Sequence, residues 1–254
     1  MGLKIAVAGK GGSGKTTVSV LLARVLSNNG GKVLLVDLDS DPNLGPALGL
    51  PAGGASPLVT RKDLIAERTG STGEPGGMFI LNPKVADILG KYSLKVSDAV
   101  SLLPVGTIET AGEGCFCPQT AFVRALLGRL VLSKDESVIL DLEAGLEAFG
   151  RSAVEGLDLL LIVIEAGMRS VDTARRILGM APAMGIRNVR VVANKVRPGR
   201  LAFLKEKLRA EGIPIDIVLP YSDELARRDL EGRPVLDYAD AGFEREAEAV
   251  LGNL

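Results

Sequence analysis

The sequence predicts an α/β fold, with a mostly parallel sheet and helices on both faces. Three observations carry that expectation. Short apolar runs recur along the 254 residues, segments with helical spacing lie between most of them, and the runs end abruptly in glycine or aspartate. Alternation of this kind builds a parallel sheet covered on both sides. In order, the runs are residues 3–8, 32–36, 101–105, 137–140, 157–164, 189–193 and 215–219. Helices are expected at 18–26, 119–132, 169–184 and 200–210. Residues 51–83 are rich in Gly and Pro, and the sheet pattern does not return until about Val100. The chain is therefore read as one domain over 1–254. It makes an excursion from the sheet at about 51–99, with a short helix near 58–68. The excursion fits a surface insertion or a partner-docking or switch region.

Composition narrows the functions. The 30 basic residues nearly balance 31 acidic ones, and 46% of the chain is hydrophobic. No basic face for nucleic acid is evident, no apolar run reaches membrane-spanning length, and no secretion signal opens the chain. A cytoplasmic protein without nucleic-acid or membrane partners is expected. Histidine is absent, which excludes imidazole as acid, base or metal ligand.

Gly9-Lys10-Gly11-Gly12-Ser13-Gly14-Lys15-Thr16-Thr17 matches G-x-x-x-x-G-K-[ST] between a strand and a helix. In that context the pattern is a phosphate-binding loop. Glycines let backbone N–H groups turn toward phosphates, and the helix N-terminus adds its positive end. Lys15 reaches the β- and γ-phosphates, and Thr16 offers its hydroxyl to Mg²⁺. Gly11, Gly12, Ser13, Gly14 and Thr17 complete the contacts.

Lys10 is the unusual member. The run from Lys10 to Thr17 resembles the deviant Walker A motif of the MinD, ParA and nitrogenase iron protein class. That resemblance implies an ATP-dependent homodimer in which Lys10 crosses to the nucleotide of the facing subunit. It also implies that Asp39, in Asp37-Leu38-Asp39-Ser40-Asp41-Pro42-Asn43, orients the attacking water. Asp141, in Asp141-Leu142-Glu143-Ala144-Gly145, would reach Mg²⁺ through water, and the Gly145 amide would sense the γ-phosphate. A carboxylate at a strand end also serves as a helix cap, the reading that suits Asp41 best. Asn194-Lys195 resembles a base-reading pair. Where guanine-binding proteins carry an acceptor two residues on, this chain has Arg197, which favours ATP over GTP. Pro220 and Tyr221 are expected to flank the adenine.

Cys115 and Cys117 are the only cysteines, in Gly112-Glu113-Gly114-Cys115-Phe116-Cys117-Pro118. A C-x-C pair places two thiols near enough to share one soft or borderline metal, and Pro118 suits a first helical turn. Two thiolates from each of two chains make the four ligands common for Zn²⁺. Taken together, KGGSGKTT, DLDSDPN, GEGCFCP, DLEAG and Arg169-Ser170-Val171-Asp172-Thr173-Ala174 resemble the CooC-type ATPases over nearly the whole chain. The resemblance implies Ni²⁺ or Zn²⁺ at the shared cysteines. The implied client is a nickel enzyme, carbon monoxide dehydrogenase or acetyl-CoA synthase. It departs at Glu165-Ala166-Gly167, where a proline is expected after the glutamate. Two alternatives stay open. One is an ATP-driven electron carrier like the nitrogenase iron protein, whose cysteines are far apart rather than two residues apart. The other is a ParA- or MinD-type positioning ATPase, which the acidic tail at 240–254 disfavours.

Overall fold

The computed structural model of the chain describes residues 2–51, 54, 56–72, 77–107, 117–130, 135–143 and 156–254. Among them, eight strands form one sheet. They are β1 (Lys4–Gly9), β2 (Lys32–Leu38), β3 (Leu94–Lys95), β4 (Val100–Pro104), β5 (Glu136–Leu142), β6 (Leu159–Ile164), β7 (Val189–Val196) and β8 (Ile217–Pro220). Their order is β3-β4-β2-β5-β1-β6-β7-β8. All pairings are parallel except β3 with β4. The described helices are α1 (Lys15–Asn28), α2 (Leu44–Ala47), α3 (Lys62–Thr69), α4 (Ile88–Tyr92), α5 (Pro118–Gly128), α6 (Met168–Met180), α7 (Leu201–Ala210), α8 (Asp223–Leu230) and α9 (Ala241–Leu251).

The central strands β1, β2, β5 and β6 are mostly apolar because both faces are covered. Along β1, Ile5 and Val7 join a core with α1, Leu44 and Phe243. Ala6 and Ala8 point the other way, into a core with α5, α6 and α7. The chain lays β2 to β5 on one side of β1, then crosses to its other side for β6 to β8. Such a reversal opens a crevice at the carboxyl ends of the strands, where open α/β sheets bind ligands. The phosphate-binding loop follows β1 directly.

Several elements differ from expectation. The helix expected at 169–184 stops at Met180 and gives way to a tighter turn at Pro182–Met184. Pro182 has no N–H for the helical ladder, and its ring clashes with the preceding turn. α5 ends at Gly128, short of 132. β7 runs on to Val196 through a register shift between Ala193 and Val196. The excursion holds a short helical turn at Leu58–Thr60, then α3 and α4. It returns through β3, which adds two antiparallel residues to the edge before Val100. An ion pair of Arg68 with Asp87 at 2.8 Å ties α3 to the start of α4. α8 escaped notice because none of its residues is buried. α9 lies in the stretch read by its charge alone, yet Phe243 and Ala247 recur at helical spacing and are buried.

Phe243 is 1% exposed and anchors α9 over α1 and β8. Phe243→Ala is expected to destabilise the chain by about 3–5 kcal/mol. Phe203 is 66% exposed, and Phe203→Ala should stay within about 0.5 kcal/mol of the parent. Urea unfolding of the two variants checks this; equal losses would mean that α9 is not part of the cooperative core.

Candidate functional site

At the end of β1 the chain turns through Gly9 to Gly14 and enters α1. Ser13 N donates to Lys10 O at 3.1 Å and closes the loop on itself. Gly14 has φ +90, and a Cβ there would stand 2.1 Å from Asn194 Nδ2, so the position requires glycine. Asn194, buried at the end of β7, donates to Ser13 O at 2.8 Å and accepts from Lys195 N at 2.8 Å. Lys195 Nζ donates to Gly12 O at 2.7 Å. Lys195 has φ 56, the one positive φ outside glycine among the described residues. Such strain persists where the surroundings over-determine it, and it marks functional sites. Here the kink turns Lys195 onto the loop, so this dipeptide braces the phosphate loop from across the cleft.

The loop is shaped for an anion. Lys15 is 6% exposed, and no hydrogen bond or ion pair to its ammonium occurs among the described residues. Its charge acts on the neighbouring Asp141, and its ammonium keeps its hydrogen-bonding capacity for a phosphate. Lys10 takes another course. Its Nζ donates to its own Gly11 O at 3.0 Å and lies 3.6 Å from Glu165 Oε1, at the end of β6.

Two carboxylates lie beneath the loop. Parallel register places Asp37, on β2, beside Asp141, on β5. Asp141 accepts from Thr16 Oγ1 at 2.8 Å and Ser19 Oγ at 3.1 Å. Burial pushes its carboxyl up to about 7, and the neighbouring Asp37 adds to the rise. Burial likewise pushes Asp37 up to about 6, against hydrogen bonds from the amides of Asp39 and Leu44. A buried carboxylate beside a threonine hydroxyl fits a hard cation that would restore its charge. The donors present are the Asp141 carboxylate, the Thr16 hydroxyl and the neighbouring Asp37. That suits Mg²⁺, which keeps waters and substrate phosphates around one or two carboxylates. Asp37 and Ser19 are the members that sequence reasoning did not assign. The signal for Asp37 was present, since it ends an apolar strand just as Asp141 does.

An open cleft of about 780 Å³ runs over these groups. Gly11, Gly12, Gly14, Lys15, Thr16, Thr17, Asp39, Asn194, Lys195, Pro220 and Tyr221 all line it. Ser13 and Asp141 lie buried beneath, and Lys10 stands at Glu165. The cleft also takes in Glu143, Pro46 and Ala47 of α2, and Ser222, Leu225, Ala226 and Asp229 on and before α8, which the sequence did not reveal. Asp39 is half-buried, and its Oδ1 accepts from Asp41 N at 3.1 Å. Gly145 and Cys115 lie outside the described residues. Cys117 is the N-cap of α5, with Pro118 in the first turn. Its Sγ accepts from Thr120 N at 3.4 Å.

Because Asp37 and Asp141 sit above the ordinary carboxylate value of 3.8, the folded chain holds protons that the unfolded chain releases between about pH 4 and 7. Metal-free stability is therefore expected to fall as pH rises through that window. Asp141→Asn removes the larger contribution. In chelator it should be more stable than the parent at about pH 8, by up to ~4 kcal/mol, and the gap should close toward about pH 4.5. Melting curves across this range decide it. A gap that widens toward acid would show that Asp141 is charged in the metal-free chain.

With this geometry in hand, comparison with known proteins places the chain. Residues 4–235 match the CobQ/CobB/MinD/ParA nucleotide binding domain. An uncharacterised ATP-binding protein of Methanocaldococcus jannaschii is 43% identical over 92% of this chain and 91% of its own length. The carbon monoxide dehydrogenase accessory protein CooC of Rhodospirillum rubrum is 40% identical over 94% of this chain and 91% of its own. Among solved structures, a chain of the MinC:MinD cell division protein complex of Aquifex aeolicus matches over 98% of this chain and 96% of its own, with TM-score 0.69 and 22% identity. MinD of Pyrococcus horikoshii with Mg-ADP covers the same shares, with TM-score 0.66 and 21% identity. Those two likenesses are of fold. The chain thus belongs to the CobQ/CobB/MinD/ParA nucleotide-binding family, as a CooC-type P-loop ATPase.

Proposed function

We propose that this chain is an Mg-ATP-hydrolysing metallochaperone. It dimerises with ATP, holds Ni²⁺ or Zn²⁺ between two C-x-C pairs, and assists nickel insertion into carbon monoxide dehydrogenase or acetyl-CoA synthase. The observation that carries the reading is the 40% identity, over 94% of the chain, to a carbon monoxide dehydrogenase accessory protein. The position of Cys117 supports it. The thiol caps α5 and is half-buried rather than sealed in the core. No described helix is long and apolar enough to cross a membrane.

In this reading Lys15 and the loop amides bind the β- and γ-phosphates, and Asn194 and Lys195 keep the loop in shape. Bound Mg²⁺, next to Thr16 and Asp141, would offset charge on the phosphates. Asp39 orients the attacking water. For that its carboxylate exchanges the Asp41 amide for the water, a local change in a half-buried loop. Lys10 acts across the dimer, leaving Glu165 for the partner's nucleotide. The Gly145 amide senses the γ-phosphate. Cys115 and Cys117 of each chain supply two thiolates to a shared ion, which is cargo and not a resident cofactor.

Asp39→Ala should bind ATP with near-parental affinity and hydrolyse it on the order of 10²–10⁴-fold more slowly. Phosphate-release assays check the rate, and hydrolysis within about threefold of the parent would remove Asp39 from its role. The cargo site is tested by anaerobic equilibrium dialysis with Ni²⁺ or Zn²⁺. One ion per dimer is expected, and the double variant Cys115→Ala, Cys117→Ala should bind none at that site. One ion per monomer, or undiminished binding by the double variant, would defeat the shared site.

A further inference from the structure

We propose that Arg197 is a positioning residue: it holds the ring of Tyr221, the residue expected to flank the adenine, as a stacking platform for the nucleotide base. The inference rests on the reading of the cleft as a nucleotide site. β7 and β8 leave the sheet in register at Val196 and Pro220. Tyr221 N donates to Val196 O at 3.0 Å. Arg197 follows β7 and Tyr221 follows β8, so the two emerge side by side. The Arg197 guanidinium lies 4.1 Å from the centre of the Tyr221 ring. Tyr221 lines the cleft and Arg197 does not, so the cation backs one face of the ring.

The cleft needs such a surface. Its phosphate end is fixed by Lys15 and Thr16. An adenine at the far end has two π faces and few ways to be held in an open groove. Tyr221 is the one aromatic side chain among the described residues lining the cleft. Asn194 and Lys195, the pair expected to read the base, direct their side chains at the phosphate loop. A guanidinium over an aromatic face is attracted by the ring quadrupole and limits the rotation of an otherwise half-exposed tyrosine. The ring is then ordered before the base arrives, which lowers the cost of binding. Arg197 thus has a role apart from excluding guanine. It acts through Tyr221, whose ring it covers, and is not part of the cleft lining.

The test separates base from phosphate. Affinities for Mg-ATP and for Mg-tripolyphosphate are measured by calorimetry on the full chain and on Tyr221→Phe, Tyr221→Ala, Arg197→Ala and the Tyr221→Ala, Arg197→Ala double variant. The parent should bind ATP more tightly than tripolyphosphate. Tyr221→Phe should keep that affinity, because the ring is kept. Tyr221→Ala should weaken ATP binding roughly tenfold, the scale of one base–aromatic stack. Arg197→Ala should weaken it about two- to fivefold. The double variant should match Tyr221→Ala, since Arg197 acts only through the ring. Tripolyphosphate should bind all five proteins alike. ATP affinities of Tyr221→Ala and Arg197→Ala within about 1.5-fold of the parent would overturn the platform. So would a parallel loss of tripolyphosphate, which would make Arg197 a phosphate-attracting charge. Additive losses in the double variant would overturn the positioning role. A parent that binds neither ligand would instead refute the nucleotide reading of the cleft, an outcome distinct from these.

Discussion

The site is organised around two carboxylates that parallel register forces together under the phosphate loop. β2 and β5 pair over seven residues, from Lys32 with Glu136 to Leu38 with Leu142, and that pairing sets Asp37 beside Asp141. Both are at most 2% exposed. Burial disfavours the charged form of each, so both rise above the ordinary carboxylate range, and Asp37 adds to the rise at Asp141. Each is also committed to a different part of the site. Asp141 holds α1 through Thr16 and Ser19. Asp37 holds both ends of the following loop, through the amides of Asp39 and Leu44. A cation between phosphate and Thr16 would favour the charged form of the buried Asp141 carboxyl.

The opposite wall of the cleft needs no such ion. Asn194 and Lys195 already meet the loop carbonyls, and the glycine at position 14 leaves room for the asparagine amide. The phosphate cradle is thus preorganised without ligand. The lysine in it, Lys10, points elsewhere and rests on Glu165. Both side chains of that pair are about one-third exposed. Pairs of this kind are worth ~0–1 kcal/mol, so Lys10 can leave for a better anion at little cost. The structure therefore combines a fixed loop with a lightly tethered lysine.

Most of this was legible in the sequence, and the reasons are physical. Strands β1, β2, β5 and β6 are buried on both faces, so their apolar runs stand out. The loop motif is recognisable because its glycines and Lys15 have no substitute. What stayed hidden depends on partners distant in sequence. The Arg197–Tyr221 stack exists only because β7 extends past a register shift to pair with Pro220. The bracing role of Lys195 needs a left-handed backbone that no local pattern announces. α8 lines the cleft without burying any residue. Charge obscured α9, whose acidic residues face out while Phe243 faces in. The Glu165 position was noticed for its missing proline, not for its ion pair.

One joint connects the nucleotide side of the sheet to the cysteine side. The carbonyl of Asp37 accepts from Val105 N at 3.0 Å and Gly106 N at 2.9 Å. Thr107 Oγ1 donates to Leu38 O. Val59 N, from the excursion, donates to Val105 O at 3.0 Å. Gly106 has φ +81, and a Cβ there would stand 2.8 Å from Val59 Cγ2, so the close packing depends on glycine. Three segments therefore meet where β4 ends: the strand that carries Asp37, the excursion, and the chain that leads ten positions on to Cys117. The end of β2 cannot shift without breaking these bonds or carrying residues 105–107 with it. A ligand moves such an equilibrium only by its differential affinity for the two arrangements. If nucleotide and metal communicate in this chain, each must bind one arrangement of this joint better than the other, and by linkage the effect must be the same in both directions.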